Sequence, residues 1–88
     1  MNYPPVTVYT KPDCPGCELV KKKLEEASID FEVVDITENA EAYTYVTQVL
    51  GASGVPVIVS EDLPPIKGYR HDEFKALVKH YKEKNAQP

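Results

Sequence analysis

The sequence has 88 residues, of which 42% are hydrophobic and 27% charged, and it carries a formal net charge of −4. This length predicts a single domain over residues 1–88, and the acidic balance argues against nucleic acid as a partner, because phosphate binding requires a basic surface. No apolar run approaches the about 18–20 residues that cross a bilayer, and the first five residues lack the basic and apolar regions of a signal peptide, so we expect a cytoplasmic protein that does not bind membranes.

Extended and helical patterns alternate along the chain in the order β-α-β-α-β-β-α, which indicates an α/β fold. The β-type apolar runs predict strands at 6–10, 31–35 and 57–59, and a weak fourth strand at 63–66 that contains Pro64 and Pro65. The helix-period patterns predict helices at 15–27, 40–50 and 71–84. Thr37 or Asn39 is expected to cap the second helix, which ends at Gly51.

Each predicted helix has an apolar face that is expected to pack against the sheet. In the first helix the candidate core residues are Leu19, Val20, Leu24 and Ala27. In the second they are Ala42, Tyr43, Val46, Val49 and Leu50, and in the third Phe74, Leu77, Val78 and Tyr81.

The only two cysteines form the motif Cys14-Pro15-Gly16-Cys17, after the first strand and at the start of the first helix. This placement is typical of a dithiol/disulfide exchange site. The helix N-terminus favours the thiolate form of Cys14, and Lys11 adds positive charge three residues upstream. We therefore expect Cys14 to attack a substrate disulfide and Cys17 to resolve the mixed disulfide. Pro15 stiffens the turn, and Gly16 lets the backbone of a partner approach the sulfur.

Other roles for the cysteine pair stay open as alternatives. A zinc site needs four ligands, and His71 and His80 lack the spacing of a zinc finger, so no metal is expected. A purely structural disulfide across two residues closes too small a loop to add much stability. An iron–sulfur scaffold would need Cys14 from two chains together with external thiols.

Val55-Pro56 immediately precedes the predicted third strand. A proline at this place is commonly a simple strand boundary. Alternatively, its peptide bond is cis and its backbone lies against the sulfurs, where it offers hydrogen-bonding groups to an extended substrate. Because cis bonds are a small minority of X–Pro bonds, the residues alone do not favour this second arrangement.

In spacing and order, the segments 11–17, 54–59 and 68–72 resemble the glutaredoxin family, and the likeness covers about residues 6–82. The resemblance implies a thioredoxin fold, in which a four-stranded mixed sheet of order 2-1-3-4 has three flanking helices. Strand 3 would run antiparallel to strands 1 and 2. The resemblance also implies that Pro56 is cis and faces Cys14.

Within this family the chain is most similar to the NrdH-redoxins, whose hallmark after the fourth strand reads W-S-G-F-R-P-D. Gly68, Arg70 and Asp72 match that pattern and Tyr69 replaces its aromatic residue, whereas Ile66 and His71 depart from it. The likeness implies a dithiol protein-disulfide reductase without a bound cofactor. It further implies recycling by thioredoxin reductase, electron delivery to a class Ib ribonucleotide reductase, and partner contacts at the following residues: Lys11, Pro15, Gly16, Val55, Pro56, Gly68, Tyr69 and Arg70.

The same region distinguishes this chain from family members that use glutathione. Those proteins usually carry adjacent glycines followed by an acidic residue, whereas this chain has Lys67-Gly68 and a longer spacing to Asp72. The resemblance therefore implies weak or no glutathione binding. A glutathione- or mycothiol-dependent glutaredoxin is the alternative, because dithiol glutaredoxins and mycoredoxins share the C-P-x-C form. A monomer is expected, since every partner must reach the same sulfur face.

Overall fold

The computed structural model describes residues 4–86, so residues 1–3, which enter the signal-peptide argument, lie outside the described part. Four strands and three helices alternate along the chain. They are β1 (Val6–Thr10), α1 (Pro15–Glu26), β2 (Phe31–Asp35), α2 (Ala40–Thr44), β3 (Val57–Ser60), β4 (Ile66–Lys67) and α3 (His71–Asn85). Helix α2 continues directly into a π-helical turn, Tyr45–Val49.

The four strands form one mixed sheet in the order β2-β1-β3-β4. Strand β1 runs parallel to β2, with Val6 opposite Phe31, and antiparallel to β3, with Val8 opposite Ile58. Strand β4 is antiparallel to β3. The expected thioredoxin topology, with order 2-1-3-4 and strand 3 reversed, is confirmed.

Helices on both faces of the sheet bury two separate apolar cores. Helices α1 and α3 cover one face and form the larger core, which contains ten buried side chains: Val6, Val8, Val20, Leu24, Ile29, Ile58, Ile66, Phe74, Leu77 and Tyr81. Helix α2 and its π-helical turn cover the other face alone. The core there has five buried side chains: Ile36, Ala42, Val46, Ala52 and Val57.

The second helix departs from the predicted regular helix over 40–50. Asn39 is the N-cap, because its side chain accepts a hydrogen bond from the Ala42 N–H at 2.9 Å. After Thr44 the hydrogen bonds widen to the i→i+5 pattern, and the Leu50 N–H donates to the Tyr45 carbonyl at 2.9 Å. The residues that face the sheet are therefore four apart: Ala42 and Val46 are buried, and Leu50 is half-buried.

Three side chains that were predicted to be core residues lie at the surface instead. Val49 is 69% exposed, because the wide turn moves it off the buried stripe. Tyr43 is 54% exposed although it lies in the regular part of α2, next to the buried Ala42. Leu19 is 40% exposed, since α1 packs through the i,i+4 pair Val20 and Leu24 and through Ala27. The predicted face of α3 is confirmed, with Val78 half-buried.

The fourth strand lies at Ile66–Lys67 and not at the predicted 63–66. Pro64 and Pro65 have no N–H to donate to a ladder, so pairing with β3 begins only after them. Ile58 lies opposite Ile66, and Val57 lies opposite Lys67.

Helix α1 ends in a Schellman motif that contains no glycine. The Ile29 N–H donates to the Leu24 carbonyl, and the Ser28 N–H donates to the Glu25 carbonyl, both at 3.0 Å. Ser28 has a φ of +57°, the left-handed conformation in which glycine is normally found at this position. Ile29 and Leu24 meet in the larger core, which fixes the turn into β2.

The loop between β3 and β4 is tied to the C-terminal half of α3. Lys84 Nζ donates to Asp62 Oδ2 at 2.7 Å, and His80 Nε2 lies 2.9 Å from the same oxygen. The Asp62 N–H donates to the Tyr81 hydroxyl at 3.2 Å. The hydrogen bonds from Lys84 and then His80 lower the pKa of Asp62 below its ordinary value, and the contact with Asp62 raises the pKa of Lys84.

Candidate active site

The two cysteines lie at the N-terminus of α1 and are joined by a disulfide, with their Cα atoms 5.2 Å apart. Cys14 is the N-cap of the helix, and its sulfur accepts a hydrogen bond from the Cys17 N–H at 3.2 Å. Cys14 keeps 9% of its surface exposed, whereas Cys17 has none. Only the Cys14 side can therefore be approached from solvent.

The helix terminus supplies the electrostatics that the exchange chemistry needs. The free N–H groups and the positive end of the helix dipole favour a thiolate at the N-cap over a thiol. The Cys17 N–H already points at the Cys14 sulfur in the disulfide form. A backbone N–H in this position is a donor that stabilises negative charge on a sulfur.

A left-handed residue leads the chain from β1 into this helix. Asp13, directly before Cys14, has a φ of +58°, which Asp tolerates better than most residues. Lys11 is exposed on the same connection, and Pro15 is exposed in the first turn of α1. This sharp turn places Cys14 at the surface while Cys17 points beneath it.

Pro56 packs directly against the active-site turn. The Val55–Pro56 bond is cis, as the resemblance implies. A Cβ placed on Gly16 would lie 3.3 Å from Pro56 Cδ, so the missing side chain allows the proline ring to approach. The Pro56 carbonyl accepts a hydrogen bond from the Gly68 N–H at 2.8 Å. Gly68 thus links the segment after β4 to the active site.

Two surface grooves meet at Ser53, Gly54 and Val55, the residues that precede Pro56. One groove, of about 450 Å³, we call the Lys11 groove; its other lining residues are Lys11, Ile36, Thr37, Tyr43, Val46 and Thr47. The other, of about 510 Å³, we call the Arg70 groove, and Lys67, Gly68, Tyr69 and Arg70 are among its lining residues. The junction ends at Val55, one residue before Pro56, whose ring packs against Gly16 between the two cysteines.

The exposed cations beside the site contrast with the acidic chain as a whole. Lys11 lines one groove, and Lys67 and Arg70 line the other. Lys67 Nζ donates to the Leu50 carbonyl at 3.2 Å, and Arg70 Nε donates to the Lys67 carbonyl at 3.4 Å. A substrate segment with carboxylate groups would be attracted to both grooves.

Sequence reasoning placed most of these residues in the site but missed the far wall of the Lys11 groove. Tyr43, Thr37 and Thr47 line that wall. Tyr43 had been assigned to the core because its position fits a regular helix with 3.6 residues per turn. The structure places it instead on the exposed side of α2. Tyr9 is half-buried and packs on Tyr45 with ring centroids 5.9 Å apart.

Two further findings concern residues 4–86. Among these residues, no three His, Cys, Asp or Glu side chains are grouped so that they could hold a metal ion. In the same part of the chain, no helix is long and apolar enough to cross a membrane.

Comparisons with known proteins match this geometry to one family. The glutaredoxin family model matches residues 6–63. The Gene 56 protein of Mycobacterium phage L5 is 53% identical over 79 residues, which cover 90% of this chain and 77% of that protein. The glutaredoxin-like protein NrdH of Lactococcus lactis subsp. lactis is 38% identical over 73 residues, which cover 83% of this chain and 99% of the relative.

A solved structure gives the same result in three dimensions. The glutaredoxin-like NrdH-redoxin from Escherichia coli, described as having a thioredoxin-like activity profile, superposes with a TM-score of 0.73 and 30% identity. The match covers 82% of this chain and 92% of that structure. The similarity therefore extends over the sheet, the helices and the cysteine turn together.

Proposed function

The chain belongs to the glutaredoxin family and is a thiol-disulfide oxidoreductase, and on that premise we propose that it is an electron donor of the NrdH type. In this proposal it reduces a disulfide of a class Ib ribonucleotide reductase and is itself reduced by thioredoxin reductase. The observation that carries the proposal is the similarity to NrdH proteins over nearly their whole length.

The proposed reaction moves two electrons from the cysteine pair to the substrate. The Cys14 thiolate attacks one sulfur of the substrate disulfide, and the other substrate sulfur leaves as a thiolate and takes up a proton. The Cys17 thiol then loses its proton, attacks Cys14 and displaces the second substrate sulfur. The substrate is left as a dithiol, and the protein is left with the Cys14–Cys17 disulfide. The difference in exposure between the two cysteines supports this order of attack.

The residues around the sulfurs are proposed to hold the substrate chain. The Pro56 carbonyl is already bound to the Gly68 N–H, so we assign backbone pairing with an extended substrate to the neighbouring Val55. Lys11 attracts carboxylates on one side of the sulfur face, and Tyr69 and Arg70 contact the partner on the other side. Pro15 and Gly16 form the surface over which the substrate approaches Cys14.

Glutathione is proposed to be a poor reductant for this protein. Lys67-Gly68 stands where glutathione-using members carry adjacent glycines. The Gly68 N–H already donates a hydrogen bond to the Pro56 carbonyl. The two cationic grooves also fit the carboxylates of a glutathione-like thiol, so a glutathione- or mycothiol-dependent activity is the second candidate. We further propose that the protein acts as a monomer in the reducing cytoplasm, where such dithiols are kept active.

The test is NADPH consumption with insulin as the disulfide acceptor. One reaction contains thioredoxin reductase, and a parallel reaction contains glutathione with glutathione reductase. We expect turnover in the reaction with thioredoxin reductase and none in the reaction with glutathione. Reduction of a class Ib ribonucleotide reductase is then measured directly. Turnover only with glutathione would replace the proposal by the second candidate.

A further inference from the structure

A third groove lies between α1 and α3, away from the pairing of Gly16 with Pro56. We call it the α1–α3 groove; its volume is about 380 Å³. Its floor is apolar and consists of Ala27, Phe74 and Val78, which belong to or pack against the larger core. Tyr69 closes one end, with its ring centroid 5.8 Å from that of Phe74. Such a recess accepts a large apolar side chain.

The rim of this groove is basic. The rim carries one carboxylate, that of Glu26, and three lysines: Lys23 on α1, and Lys75 and Lys82 on α3. The whole chain carries 14 acidic residues against 10 basic ones, so the excess of cations here is a local feature and not the general character of the surface. The rim is complementary in charge to an acidic ligand.

The α1–α3 groove is continuous with the active-site surface through one side chain. Tyr69 lines this groove and also the Arg70 groove, whose lining includes Val55, the residue before Pro56. A protein that reaches Cys14 across the Arg70 groove therefore has its surface next to the α1–α3 groove as well. A small molecule would occupy only one of the two grooves, whereas a partner protein could contact both at the same time.

From these observations we propose that the α1–α3 groove docks an acidic segment of the redox partner that carries one large apolar side chain. The apolar side chain fills the recess beside Tyr69 and Phe74, and the flanking carboxylates pair with the lysines of the rim. The inference rests on the proposed function, since it identifies a second contact for the protein that exchanges disulfides at Cys14.

Titration with a synthetic peptide, followed by the amide NMR signals of the oxidised protein, tests this docking. The probe is the pentapeptide Asp-Glu-Phe-Glu-Asp, blocked at both ends. We expect shifts at Tyr69, Phe74 and Val78, and weaker binding when serine replaces the phenylalanine. Lys75→Glu should raise the Kd by about two- to five-fold, in line with the loss of one surface charge pair. Lys79→Glu is the matched control, because it changes the same charge on the same helix outside the groove.

Three results would overturn the docking proposal. The first is that Lys75→Glu and Lys79→Glu weaken peptide binding equally, and the second is that the peptide shifts only amide signals of the Arg70 groove. The third is that 3-phenylpropionate binds as tightly as the peptide. Insulin reduction with dithiothreitol as reductant is measured on the same variants. Absence of peptide binding by the unmodified protein, together with full insulin reduction, contradicts only the docking site, whereas absence of insulin reduction by the unmodified protein contradicts the proposed function.

Discussion

Replacing Gly68 by alanine tests whether the link between Gly68 and Pro56 supports the reaction. Gly68 has a φ of +85°, and no atom lies within 4 Å of the position that a Cβ would occupy. The cost of the substitution is therefore conformational, about 1–2 kcal/mol for a residue with a Cβ in this region. For a domain of this size each kcal/mol lowers the midpoint of thermal unfolding by about 4–8 °C, so we expect a fall of about 4–16 °C.

Gly51→Ala is the matched control for this experiment. Gly51 has a φ of +70° and also has open space where its Cβ would lie, but its N–H is not bonded to Pro56. Both variants should lose similar stability. Only Gly68→Ala should also lose activity, because a strained Gly68 moves the N–H that donates to the Pro56 carbonyl and so displaces Pro56 from Gly16. Displacement of reacting groups by about 1 Å can cost up to about a hundred-fold in rate, and we expect roughly a ten-fold fall in kcat/KM.

The assay is insulin reduction with dithiothreitol, at a temperature well below both unfolding midpoints. Circular dichroism on the same samples gives the midpoints. Equal kcat/KM values for Gly68→Ala and Gly51→Ala would refute the role that we assign to the hydrogen bond. An unchanged midpoint in both variants would refute the conformational argument.

Three further predictions concern the cysteines and two stabilising contacts. Cys14→Ser should abolish disulfide reduction, whereas Cys17→Ser should accumulate a mixed disulfide with its substrate, detectable by mass spectrometry; the reverse pattern would exchange the assigned roles. Ser28→Gly should raise the free energy of unfolding by about 1 kcal/mol, measured by urea titration, because it relieves a left-handed residue; Ser28→Ala, which keeps the Cβ, should give no gain. The lowered pKa of Asp62 means that its contribution to stability is present above pH 3.8 and is lost as the pH falls below that value, so Asp62→Asn should flatten the dependence of the unfolding free energy on pH in acid; an unchanged slope would contradict this.

The sequence predicts the larger core well because its pattern there is regular. Strands β1 and β2 occur where the β-type apolar runs predict them, and α3 buries its predicted face through Phe74, Leu77 and Tyr81. The cysteine turn could also be located, since proline and the cysteine spacing mark the start of a helix. These features depend on local periodicity and on residues close together in the chain.

The features that the sequence does not predict depend on backbone detail or on distant contacts. Nothing in residues 45–49 marks a π-helical turn, so the exposure of Val49 could not be predicted. The exposure of Tyr43, which lines the Lys11 groove, was also missed, because its position fits the apolar face of a regular helix. The two prolines explain why β4 begins after them, but the pairing of Ile66 with Ile58 and of Lys67 with Val57 is not marked in the sequence. The basic rim unites Lys23 with Lys75 and Lys82, which are more than fifty residues apart in sequence.

The two faces of the sheet should differ in how readily they open. One face is held by two helices and ten buried side chains, whereas the other is held by α2 alone with five. Local stability follows the density of buried apolar contacts, so amides of 42–50 should exchange with deuterium faster than those of α1 and α3. Tyr43 and Thr47 lie on this second layer, whereas the cysteine turn begins α1. We therefore expect the wall of the Lys11 groove to adapt to the substrate chain more readily than the cysteine turn.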